Sequence, residues 1–110
     1  MKPVLDREKL NGLRALIGEA KCETALARFR GELEDCLSAI AADDPDCAEY
    51  AHRLAGVAGL LGFDDLEEQS RRFLAAIHGN AGDVSEPLAS LVEAAHRAEG
   101  ELPRSPDSVE

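Results

Sequence analysis

The residue with the clearest chemical potential is His52, which sits in the run Ala48-Glu49-Tyr50-Ala51-His52-Arg53-Leu54-Ala55-Gly56-Val57-Ala58-Gly59. An imidazole with a pKa of about 6.5 is largely neutral at cytosolic pH, and its unprotonated ring nitrogen is a competent nucleophile. If the run is helical, each residue advances about 100° around the axis. Cys47, Leu54, Val57, Ala58 and Leu61 then fall within about 80° of Tyr50 and form an ordinary buried stripe. His52 falls at about 200°, nearly opposite, in the company of Ala48, Ala55, Gly56 and Gly59. Solvent-facing helix surfaces usually carry Glu, Lys or Arg, whereas this one carries a histidine on a floor of small residues.

Two glycines inside a helix cost about 2 kcal/mol relative to alanine. Either another backbone approaches closely across Gly56 and Gly59, or something from outside must reach His52. The second reading is preferred, because the opposite face already supplies the core. An open nucleophile with little around it suits phosphoryl transfer, which asks of a protein mainly positioning and electrostatic support.

The elements that must hold this residue are helical. A short first helix is predicted over 5–17, with Asp6 as its N-cap and a stripe of Leu10, Leu13 and Ile17. A second is predicted over 20–41, with Cys22, Leu26, Phe29, Leu33, Cys36, Leu37 and Ile40 on one seam. Asp43-Asp44-Pro45-Asp46 breaks it, and Pro45 suits the first turn of a third helix ending at Leu61. Gly62 suits the left-handed position just past that end, and Asp64 is the expected N-cap of a fourth helix. That helix should bury Leu66, Ser70, Phe73, Leu74 and Ile77, with His78 near its end as a partner for the dipole. Gly79-Asn80-Ala81-Gly82-Asp83 reads as a loop. A fifth helix from about Ser85 carries Leu88, Leu91, Val92, Ala95 and Leu102, with His96 on its flank. The fold class expected is all-α: an antiparallel up-and-down four-helix bundle with a short extra N-terminal helix. The domain should span 1–102, with 103–110 a disordered polar tail.

Composition agrees and excludes several functions. The chain has 110 residues, enough for one domain, and 45% hydrophobic content with only 4% aromatics leaves Ala and Leu to fill the core. A formal net charge of −10 repels phosphate backbones and anionic surfaces, so neither nucleic acid nor membrane is an expected partner. Three cysteines, Cys22, Cys36 and Cys47, without a secretory leader point to the reducing cytoplasm and to thiols serving as small buried hydrophobes. No metal site is expected, because His52, His78 and His96 are not spaced as joint ligands on one helix.

The segment Ala51-His52-Arg53-Leu54-Ala55-Gly56-Val57-Ala58-Gly59-Leu60-Leu61-Gly62-Phe63-Asp64-Asp65-Leu66 resembles the motif of histidine-containing phosphotransfer (HPt) domains, roughly His-x-Leu-Lys-Gly-Ser-Ala-x-x-Leu-Gly followed by a Leu. His52, Leu54, Gly56, Ala58, Leu61, Gly62 and Leu66 match, and the five-helix order extends the resemblance over about residues 5–102. The resemblance implies that His52 accepts a phosphoryl group from a receiver-domain aspartate and passes it to another, without ATP hydrolysis of its own. It implies no cofactor in this chain, the Mg²⁺ being supplied by the receiver. Partners would be response-regulator receivers and possibly a hybrid histidine kinase, met by a monomer. Ala48, Ala55, Gly56 and Gly59 would form the docking surface. The family's Lys stands at Ala55 here, and its small polar residue at Val57. The charge of a phosphoryl group at His52 must then be balanced elsewhere, by Arg53, Arg71 or Arg72. Two alternatives stay open: a helical interaction module that binds a receiver without transfer, and the phosphoacceptor domain of a chemotaxis-type kinase. The Met1 start and the polar tail favour a free-standing protein over the latter.

Overall fold

The computed structural model describes residues 3–79 and 82–102. The expected tail at 103–110, and Asn80 and Ala81 of the expected loop, lie outside the described residues. All regular structure described is helical: α1 (Arg7–Ile17), α2 (Glu19–Ala41), α3 (Cys47–Leu61), α4 (Asp64–His78) and α5 (Ser85–Glu101). Short turns force successive long helices antiparallel, and α3 packs most extensively on α4, with α2·α3 and α4·α5 next.

Each helix forms where its apolar period predicts and stops where the backbone chemistry changes. Asp6 caps α1, its Oδ1 accepting the Lys9 N–H at 3.2 Å. The break after α2 is an Asx turn, in which the Asp46 N–H donates to Asp44 Oδ1 at 2.8 Å. Pro45 lies in this turn, so α3 starts two residues later than the proline suggested. Gly62 ends α3 with φ +99°, while the Phe63 N–H donates back to Ala58 O at 2.8 Å, a Schellman closure. Asp64 proves to be the first residue of α4, with Phe63 before it, and makes no side-chain cap. Its carboxylate instead accepts from Lys9 Nζ at 2.8 Å, which raises the Lys9 pKa, chiefly through that hydrogen bond.

The core runs through all five helices. Leu10 from α1, with Leu5 just before it, closes one end over Leu26, Phe29 and Leu33 of α2, Leu54, Ala58 and Leu61 of α3, Leu66, Phe73 and Leu74 of α4, and Leu91, Ala95 and Ala98 of α5. Phe29 and Phe63 stack with ring centroids 5.3 Å apart, filling volume that the alanines leave. Cys22 and Cys36 are buried among these residues as expected. Burial pushes the Cys36 thiol up to about 11, with a smaller contribution from nearby Cys47, so it stays a neutral small hydrophobe. The Asp6 N–H donates to Gly62 O at 2.7 Å, fixing the start of α1 against the α3–α4 turn.

Candidate functional site

His52 lies in the second turn of α3, exposed, as the sequence requires of an acceptor. The orientation of the helix differs from expectation. Its buried residues are Ala51, Leu54, Ala55, Ala58 and Leu61, whereas Cys47, Tyr50 and Val57 are only half-buried. The buried face is thus centred near Ala58, rotated roughly 40° from the stripe drawn on Tyr50, and His52 stands about 125° from its centre. Two main packing neighbours, α4 and α2, share this face, so α3 buries small residues as well as large ones.

The small-residue floor therefore divides. Ala55 is 1% exposed and belongs to the interior, which corrects its assignment to an open docking surface. Its small side chain suits the close approach of α3 and α4. Gly59 also has a structural cause. A Cβ there would lie 2.5 Å from Glu67 Oε1, so the carboxylate of this α4 residue rests directly on the α3 backbone. Gly56 differs: a Cβ there would meet nothing within 4 Å. No packing in the described structure requires that glycine. Ala48 is half-buried at the same edge.

The open face of α3 consists of Glu49, His52, Arg53, Gly56 and Leu60. Leu60 is 61% exposed and was not singled out by the sequence reading. The available signal was a leucine out of phase with the stripe, at about 280° when Tyr50 is zero.

The three arginines fall in different places. The Arg53 guanidinium lies over the Tyr50 ring, 5.2 Å from its centroid, and is drawn to the side of α3 away from His52. Arg72 donates to Gln69 Oε1 at 2.9 Å and to Glu86 Oε1 at 3.1 Å, which places it on the α5 side of α4. Arg71 donates Nε and Nη2 to Glu67 Oε2 at 3.1 and 2.9 Å, along the edge of α4 that faces α3. An open groove of about 630 Å³ runs along α4 past Lys9, Asp64, Glu67, Arg71 and Arg72, and His52 does not line it. His52 stands exposed on the open face of α3, outside this groove.

His78 closes the last turn of α4, as expected. His96 is exposed, its Nδ1 lying 3.2 Å from Glu99 Oε1. Among the described residues no three His, Cys, Asp or Glu side chains converge as a metal site, and no helix is long and apolar enough to cross a membrane.

The family model for the Hpt domain matches residues 24–99, more than half of the chain. The chain belongs to the Hpt domain family. No curated protein and no solved structure matches it. Membership assigns it generally to histidine phosphotransfer in two-component signalling, in which Hpt domains interact with receiver domains and kinases. The matched span contains His52 and the whole α3–α4 hairpin that carries it. It leaves α1 outside, so the Lys9–Asp64 and Asp6–Gly62 contacts attach a further helix to the hairpin of this Hpt domain.

Proposed function

We propose that this Hpt domain is a phosphorelay intermediate that carries a phosphoryl group on His52 between receiver aspartates. The observation that carries the reading is the pairing of an exposed His52 with Gly56, one helical turn on, where no contact in the fold demands a glycine. In the forward step the unprotonated ring nitrogen attacks the phosphorus of a receiver's aspartyl phosphate. An N–P bond forms, the P–O bond to the aspartate breaks, and the carboxylate leaves with the bonding pair. The reverse step on a second receiver returns the group to a carboxylate.

The receiver brings the Mg²⁺ that the reaction uses, and this chain contributes the acceptor, the open approach and a cation. Arg71 is the best placed of the three arginines for that role, because Arg53 is drawn toward Tyr50 and Arg72 toward α5. Gly56, one turn from His52, supplies the clearance, and Leu60, two turns on along the open face, the apolar contact for the docking receiver, which meets a monomer in the cytoplasm.

Mixing the protein with a receiver carrying labelled aspartyl phosphate tests the reading. Label should leave the receiver and appear here as an acid-labile phosphoryl group, then pass to a second receiver. Binding without any transfer would select the alternative, an interaction module, which the absence of the family's lysine at Ala55 favours.

A further inference from the structure

We propose that Glu67, seated on Gly59, holds Arg71 in reserve and so sets how strongly a phosphoryl group is retained on His52. The inference rests on His52 being the phosphoacceptor.

Three observations meet at this point. The Glu67 carboxylate occupies the space that a side chain on Gly59 would fill, with Oε1 2.5 Å and Cδ 2.8 Å from the position of a Cβ. Arg71 directs both Nε and Nη2 at the other oxygen of the same carboxylate. The pair is more exposed on the arginine side, 57%, than on the glutamate side, 30%, so the arginine is the freer of the two to move.

The antiparallel register puts the movable member near the nucleophile. Gly59 faces Glu67, so seven residues back on α3 and seven forward on α4 bring His52 level with Leu74. Arg71 lies three residues short of that level, about 4.5 Å along the axis, with a long side chain now folded toward Glu67. A phosphorylated imidazole would introduce close to two negative charges and three acceptor oxygens across the α3–α4 seam from it. A single partly exposed carboxylate four residues away on the same helix is a weaker competitor for a guanidinium than such a group. Phosphorylation therefore transfers Arg71 from Glu67 to the phosphoryl oxygens, and Glu67 is a positioning residue that opposes the transfer. The arrangement answers the missing lysine at Ala55 with a cation from the neighbouring helix, held back by a carboxylate that rests where a side chain on Gly59 would lie.

The test is the equilibrium of phosphoryl exchange with one phosphorylated receiver, measured for the wild type and for Glu67→Gln, Arg71→Ala, Gly59→Ala and the Glu67→Gln/Arg71→Ala double variant. Glu67→Gln should raise the ratio of phosphorylated protein to phosphorylated receiver roughly two- to fivefold, and Arg71→Ala should lower it by a similar factor. In the Arg71→Ala background Glu67→Gln should change nothing. Gly59→Ala, which displaces the carboxylate, should shift the ratio in the same direction as Glu67→Gln. An unchanged ratio in Glu67→Gln overturns the proposal. So does an equal gain with and without Arg71, since Glu67 would then act through its own charge. Failure of every protein, wild type included, to take label on His52 is a separate result, and it removes the phosphoacceptor reading itself.

Discussion

The Asp6 main chain touches Gly62 twice: its N–H donates to Gly62 O at 2.7 Å, and its carbonyl oxygen would lie 2.6 Å from a Cβ on Gly62. Gly62 also adopts φ +99°. One residue thus closes α3, admits the start of α1 and opens the turn into α4. Gly62→Ala should destabilise the fold by about 2–4 kcal/mol, from the left-handed backbone and the clash together. Urea unfolding measures it, and a loss under about 0.5 kcal/mol would mean that α1 does not dock on this turn.

Gly56 should behave in the opposite way. With nothing near its missing side chain, Gly56→Ala should stabilise by about 0.5–1 kcal/mol through helix propensity alone. Gly56→Leu should keep the fold while slowing phosphoryl uptake roughly 10- to 100-fold, because the added bulk holds the receiver off His52. Thermal melts and uptake rates on the same two proteins separate these effects. Undiminished uptake in Gly56→Leu would show that the glycine does not serve access.

Ser70 is fully buried in α4, and its Oγ has no hydrogen-bond partner among the described residues. Removing an unsatisfied hydroxyl relieves a desolvation cost, so Ser70→Ala should raise stability by about 1 kcal/mol. A destabilised Ser70→Ala protein would reveal a partner for the hydroxyl, such as a buried water.

Stability should fall at alkaline pH. The Cys36 thiol is raised from its ordinary 9.0 to about 11 by burial, so the folded state resists its ionisation more than the unfolded chain does. The stabilisation is complete below about pH 9 and is lost as pH climbs through 11, amounting to roughly 1–3 kcal/mol. Lys9, held protonated by Asp64, contributes in the same direction. Unfolding midpoints between pH 8 and 11 should show a shallower decline in Cys36→Ala than in the wild type. An identical slope would mean that the thiol titrates normally.

How far the sequence revealed all this depended on the residue type. Leu26, Phe29 and Leu33 mark their buried face without ambiguity, and the α2 seam stands where their spacing puts it. Gly62 was legible because a left-handed helix end has few other solutions. The orientation of α3 was less so. Ala51, Ala55 and Ala58 carry most of its buried face, and alanine is equally at home inside and outside a bundle. Tyr50 and Val57 were given the weight of core residues, although both lie half-buried at the edge, and the inferred axis turned with them. Gly56 and Gly59 looked alike in sequence. Only the position of the Glu67 carboxylate separates them: it lies where a side chain on Gly59 would go, whereas nothing stands near Gly56.

The most direct measurement is the identity of the phosphorylated atom. Wild-type protein charged by a phosphorylated receiver, examined by ³¹P NMR and by mapping of the modified peptide, should carry a base-stable, acid-labile phosphoramidate on His52, and His52→Gln should carry none. Phosphoryl uptake by His52→Gln equal to that of the wild type would contradict the account.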